Sequence, residues 1–167
     1  MNNHQIIALD GHDAVGKTTL GQLLAAQLNG VYVRPFQGDY GTQLIKLADE
    51  EKFEELITFA ENRFQEIKKS HIHETLIFDR HWMTVLSLLP KTYWLKWQDF
   101  PKTFLLTAQL DTIKHRLSQR IEKQYSDEYH QYYLTLYQEL AKQFAVTTLN
   151  TDQHTPLEML NLINEIL

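Results

Sequence analysis

Gly11-His12-Asp13-Ala14-Val15-Gly16-Lys17-Thr18, continued by Thr19, has the spacing G-x-x-x-x-G-K-[ST]. It follows the apolar run Ile6-Ile7-Ala8-Leu9 and opens a segment in which Leu20, Leu23, Leu24 and Leu28 share one helical face. Strand, glycine-bounded loop and helix in that order make a phosphate cradle. The glycines let the chain curl so that successive N–H groups point inward, and the helix macrodipole adds positive potential at the same place. Residues Gly11, His12, Asp13, Ala14, Val15, Gly16, Lys17, Thr18 and Thr19 are thus expected to wrap the phosphates of ATP. Lys17 would reach the β- and γ-phosphates, and the Thr18 hydroxyl would meet Mg²⁺. The plain alternative, a glycine turn whose Lys-Thr-Thr only starts a helix, leaves the preceding strand without a purpose.

Working outward, short apolar runs alternate with helical periodicity along the whole chain. Strands are expected at 5–9, 31–33, 75–78, 103–107 and 146–149. Helices are expected at 17–28, 42–50, 52–69, 80–89, 110–123, 127–144 and 156–167, with 91–102 a loop or short helix. Such alternation requires crossover connections, hence a five-stranded parallel sheet with helices on both faces, a three-layer α/β P-loop NTPase fold. With 167 residues, one domain over 1–167 is expected, with its ligands beyond the carboxyl ends of the strands.

Composition narrows the chemistry. A net charge of −5 supplies no basic field for a nucleic-acid backbone, so a small-molecule nucleotide is the expected partner and polymeric DNA or RNA is not. Cysteine is absent, which removes disulfides, thiolate nucleophiles and cysteine-ligated metals. The polar start of the chain and its short apolar run do not read as a signal peptide or membrane span, and a cytoplasmic location is the default expectation. His71 and His73 are the only close histidine pair and read as solvated loop.

Asp79 ends the apolar run Leu76-Ile77-Phe78, so its carboxylate is expected at the strand's carboxyl end, able to hold Mg²⁺ directly or through water. Asp79 is followed by Arg80-His81-Trp82 rather than x-x-Gly, and no Asn-Lys-x-Asp occurs to read guanine. Both facts favour a kinase over a GTPase switch.

Three features stand in order along the chain: the acid Asp13 in the phosphate loop, Phe59-Ala60-Glu61-Asn62-Arg63 on a later helix, and Asp79-Arg80-His81 at the end of the third strand. In these features and their order the chain resembles thymidylate kinases and their nucleotide-kinase relatives. A looser match is Leu110-Asp111 followed by Arg116-x-x-x-Arg120, where that family places its lid, here about 116–128. The resemblance implies that Phe59 stacks on the acceptor base, Arg63 donates to it, and Arg80 holds the acceptor phosphate. It also implies that Asp13 orients the acceptor or the transferring group, and that Arg116 and Arg120 supply positive charge because Ala14 cannot. Arg34, after the second strand, suits an acceptor phosphate better than a hydroxyl, which would need a carboxylate base there. The family's pattern after Asp-Arg is replaced here by Trp82-Met83-Thr84-Val85-Leu86-Ser87-Leu88.

The expectation is therefore ATP- and Mg²⁺-dependent phosphoryl transfer to a nucleoside monophosphate, a pyrimidine in the first instance. The competing readings are a deoxynucleoside kinase and a nucleotide-binding protein without turnover. The oligomeric state is open, a homodimer being one option.

Overall fold

Five short strands form one all-parallel sheet in the computed structural model, which describes residues 4–167. They are β1 (Ile6–Asp10), β2 (Val31–Val33), β3 (Leu76–Asp79), β4 (Lys102–Thr107) and β5 (Thr147–Asn150), in the spatial order β2-β3-β1-β4-β5. The helices are α1 (Lys17–Gln27), α2 (Asp39–Asp49), α3 (Phe53–Ser70), α4 (Trp82–Ser87), α5 (Leu110–Ser118), α6 (Asp127–Gln143) and α7 (Pro156–Ile166). A 3-10 turn covers Lys91–Lys96, within the segment expected to be loop or short helix. Residues Met1, Asn2 and Asn3 of the expected polar start lie outside the described residues.

The period of two along a strand sorts its side chains to opposite faces. Ile7, Leu9, Ile77, Phe104 and Leu106 join α1, α5 and α7 in one buried cluster. Their neighbours Ala8, Leu76, Phe78 and Leu105 join α2, α3, α4 and most of the inner face of α6 in the other. Those two cores are the physical content of three layers. Register places Leu9 opposite Asp79 and Asp10 opposite Leu105, so the first loop and the acid that ends β3 emerge together at the carboxyl ends of the strands.

Where the boundaries differ from the sequence expectation, local chemistry gives the reason. The helix expected over 110–123 stops at Ser118, since the next cap amides already bond Arg116 and Leu117 carbonyls and nothing apolar on 119–126 meets the core. The stretch expected as a lid is thus a short connection before α6, which Ser126 caps by accepting the Tyr129 N–H. At α7, Thr155 and Glu158 form a full capping box with Pro156 in the first turn.

The segment that departs from the family pattern is core. All six α4 residues are buried, and Trp82 packs edge-on against Phe100 and Phe144. Each buried indole N–H has an acceptor: Trp82 donates to Thr103 Oγ1 (2.8 Å), Trp94 to the Leu86 carbonyl (3.0 Å) and Trp97 to that of Asp99 (2.7 Å).

His81 is the exception to this polar accounting. Its ring stacks on Phe64 at 3.8 Å and meets Phe78 edge-on at 4.9 Å, and both ring nitrogens are enclosed without a partner. Burial, helped by the Lys68 charge, holds its pKa well below the usual value, so His81 is neutral in the fold. The unfolded chain binds a proton there below about pH 6.5 and the folded chain does not, so this residue's contribution weakens as pH falls through that value. His81→Phe is expected to keep the stack and raise stability by about 1–3 kcal/mol at pH 7. Urea unfolding should also show a smaller loss of stability between about pH 7 and 5 in the variant than in the wild-type protein.

Candidate active site

The loop after β1 closes tightly. Gly11 has φ 143°, and a Cβ there would lie 2.3 Å from the Leu106 carbonyl oxygen, so only glycine fits. Gly16 precedes α1, and Lys17 and Thr18 follow in its first turn. Lys17 is buried and donates from Nζ to the Gly11 (3.0 Å) and His12 (2.7 Å) carbonyls, turned into its own loop. Burial, and next the Arg80 charge, lower its pKa to about 7 against the opposing pull of Asp79, Asp13 and Asp10.

That shift has two consequences. Between about pH 7 and the ordinary lysine range the unfolded chain holds one more proton than the folded chain, so stability without ligand rises with pH across that window. An anionic ligand on Lys17 restores the charge, so triphosphate binding near pH 7.5 is expected to take up a fraction of a proton. Calorimetry in buffers of different ionisation enthalpy reads that uptake, and Lys17→Met should abolish it.

At the end of β3, Asp79 Oδ2 accepts a hydrogen bond from Thr18 Oγ1 (3.0 Å) and another from the Tyr32 hydroxyl. Burial and Asp79 push the Tyr32 hydroxyl up to about 12, so it remains a donor. A threonine hydroxyl beside a carboxylate at a helix N-terminus is the donor set that Mg²⁺ takes when phosphate oxygens and water complete its shell. Among the described residues no group of three or more His, Cys, Asp or Glu could hold a metal without such help.

Arg80 follows at φ 79°, a left-handed conformation unusual for a side-chain-bearing residue. Its guanidinium pairs with Asp13 and donates to the Gly11 carbonyl (3.2 Å) and to Thr84 Oγ1 (3.4 Å). Burial works to raise the Asp13 pKa, but Arg80 and Lys17 outweigh it and keep the carboxylate below its ordinary range. Asp10 anchors this turn from beneath: its carboxylate accepts the backbone N–H groups of His81 (3.0 Å), Met83 (3.2 Å) and Thr84 (3.2 Å) and the Thr84 hydroxyl (2.7 Å).

Three cavities meet at the loop. The central one, about 300 Å³, is lined by Lys17, Thr18, Asp79, Arg34, Arg80 and Arg120 among others. Among the described residues neither Arg34 nor Arg120 has a salt-bridge partner. A second cavity, about 470 Å³, shares Ala14, Gly16, Thr19 and Arg120 with the first and adds Arg116, Thr151 and His154. A third, about 250 Å³, shares Asp13 and Arg80 and is walled by His12, Phe36, Leu44, Ile45, Tyr129, Tyr133 and Tyr137.

Several expected site residues sit elsewhere. Arg116 donates to the Ala14 carbonyl (2.9 Å) and to Thr151 Oγ1 (3.2 Å), on the outer side of the loop, so of the two arginines expected in a lid only Arg120 lines the central cavity. Phe59 and Arg63 lie outside the third cavity. The reason is α2: Gly41, Leu44 and Ile45 face that cavity, while Gln43 and Leu47 face a separate cleft with Phe59. Tyr40 then covers Arg63, whose guanidinium carbon lies 3.6 Å over the ring and whose Nε donates to the Pro35 carbonyl (3.0 Å).

Other site residues are new. Tyr129, Tyr133 and Tyr137 present one α6 face to the cavity. His12 Nε2 lies 2.8 Å from His130 Nδ1 and its ring is parallel to Tyr133, tying the phosphate loop to α6. Spacing of the tyrosines at i, i+4 and i+8 was the only sequence signal for that wall. Tyr32, Asp10 and His130 carried none.

No protein-family model matches the chain, and neither does any curated protein. Solved structures do. A deoxyadenosine kinase from M. mycoides, with the products dCMP and a flexible dCDP bound, superposes with a TM-score of 0.67 at 19% identity, over 97% of this chain and 98% of that one. Thymidylate kinase from Candida albicans gives 0.65 at 15% identity, over 97% and 90%. Shikimate kinase from Bacteroides thetaiotaomicron gives 0.64 at 16% identity, over 97% of each. The chain has the P-loop kinase fold over 97% of its length.

Proposed function

We propose that the protein transfers the γ-phosphoryl group of ATP to a pyrimidine nucleoside monophosphate. The observation that carries this reading is the continuity of the three cavities: a phosphate site flanked on both sides by spaces that share its residues. A simple hydrolase or switch needs only one flanking space, for its own nucleotide. The fold it shares with kinases of nucleosides, nucleotides and shikimate supports the same class of reaction.

The donor lies with its base beside Arg116 and Thr151 and its phosphates in the loop. Mg²⁺, held at Thr18 and Asp79, would neutralise part of the phosphate charge when bound. Lys17 leaves the loop carbonyls for the β- and γ-phosphates, and Arg120 reaches the same cavity from the lid. The acceptor oxygen attacks the γ-phosphorus, the bond from that phosphorus to the bridging β-oxygen breaks, and ADP departs. A phosphate acceptor is already deprotonated, so the step needs cations and no base. Arg34, which has no salt-bridge partner among the described residues, supplies one cation for it, and Arg80 another that Asp13 holds in place.

The acceptor cavity, about 250 Å³, falls below the usual range of roughly 300–1,000 Å³ for ligand sites, which favours a single-ring base. Phe36, Tyr133 and His12 supply its aromatic walls in place of Phe59 and Arg63.

One observation favours a nucleoside acceptor instead: the Asp13 carboxylate faces the acceptor cavity and could take a proton from a 5′-hydroxyl. Initial rates with thymidine, thymidine monophosphate, deoxyuridine monophosphate and the purine monophosphates separate the two. Faster use of the pyrimidine monophosphates is expected. Faster use of thymidine than of its monophosphate would assign the acceptor as a nucleoside.

A further inference from the structure

Arg34, just after β2, lines the phosphate cavity, yet the middle residue of that strand, Tyr32, makes the closer contact with the chemistry. The Tyr32 ring lies across α1 and its hydroxyl donates to Asp79 Oδ2, the oxygen that also accepts from Thr18. Two hydroxyl donors on one oxygen fix the carboxylate's rotation. The other oxygen, Oδ1, has no hydrogen-bond partner among the described residues and is not among the enclosed polar atoms, so it opens toward the cavity that Asp79 lines.

A second observation shows that this seat is built. Gly21 lies inside α1, where glycine costs about 1 kcal/mol relative to alanine. A Cβ at Gly21 would lie 2.7 Å from Tyr32 Cε2 and 2.9 Å from Cδ2, inside van der Waals contact. The helix thus carries a glycine where the tyrosine ring passes. Without that gap the ring, and the hydroxyl at its end, would be displaced from Asp79.

We infer that Tyr32 is a positioning residue for the metal carboxylate, seating Asp79 so that Oδ1 faces the nucleotide's metal, and that Gly21 is the packing partner that makes the seat. The inference rests on the reading of the loop as a metal–nucleotide site. It assigns Tyr32 no contact with substrate. Its action passes entirely through Asp79, as hydrogen-bond partners behind a metal ligand commonly act.

The test uses Tyr32→Phe, which keeps the ring and removes the donor, with Mn²⁺ as the probe. Free Mn²⁺ is followed by electron paramagnetic resonance during titration of the protein·ADP complex, and ADP affinity in EDTA is measured separately by calorimetry. The expected result is an Mn²⁺ dissociation constant raised about tenfold, within the 10–100-fold range typical of such partners. ADP affinity without metal should be unchanged. Gly21→Ala, which displaces the ring, should weaken Mn²⁺ binding at least as much. Unchanged Mn²⁺ affinity in Tyr32→Phe, or an equal loss of ADP affinity in EDTA, would overturn the positioning role while leaving the nucleotide site intact. Wild-type protein that binds neither ADP nor Mn²⁺·ADP would overturn the reading of the site together with this inference.

Discussion

Lys17→Ala is expected to lower phosphoryl transfer by about 10²–10³-fold, the cost of removing one preorganised cation from a transition state that spreads charge over the migrating group. The fold should survive. Lys17 is buried with its pKa lowered to about 7, so its charge is held against the cost of desolvation and is not what packs the core. Its two bonds to loop carbonyls belong to the ligand-free arrangement and are exchanged for phosphate oxygens on binding. Circular dichroism should therefore match the wild-type protein, and the melting temperature should change by a few degrees at most. Near-normal turnover in a folded Lys17→Ala protein would contradict the mechanism.

Arg80→Ala is expected to damage acceptor use far more than donor binding, lowering kcat/KM for the acceptor by about 10²–10³-fold. The guanidinium reaches Asp13, the Gly11 carbonyl and Thr84 at once, a fork that places one cation at the junction of the phosphate and acceptor cavities. Lysine cannot span those three partners with one ammonium, so Arg80→Lys should recover only part of the loss. Separate calorimetric titrations with an ATP analogue and with the monophosphate read the two sides. Equal loss of both affinities would show that Arg80 serves the loop as a whole and not the acceptor.

The fold was legible because its signals are local. Short apolar runs bounded by helical periods give strands and crossovers, and the glycine spacing of the loop fixes which strand and helix it joins. The convergence of Lys17, Thr18, Asp79, Arg34, Arg80 and Arg120 on one cavity follows from that topology, since each lies at or beyond the carboxyl end of a strand or in the lid.

What the sequence hid depends on packing between distant segments. Periodicity places Phe59 and Arg63 on one face of α3, yet cannot show that α2 crosses between that face and the acceptor cavity. His12 and His130 are 118 residues apart, and neither position has a local pattern that joins them. Tyr32 reads as a strand residue because its ring does pack against a helix, and only the third dimension shows where the hydroxyl ends. The Trp82–Ser87 stretch reads as a departure from the family's pattern after Asp-Arg, and it is buried helix against the aromatic core.

If two substrates meet across one phosphate site, the phosphoryl group passes between them and can itself be followed. With ATP labelled in its γ-phosphate, Mg²⁺ and thymidine monophosphate, label is expected in thymidine diphosphate in step with ADP, and about 10²–10³-fold more slowly in the Lys17→Ala protein. Label released only as inorganic phosphate, or retained in ATP while the wild-type protein binds both nucleotides, would contradict it.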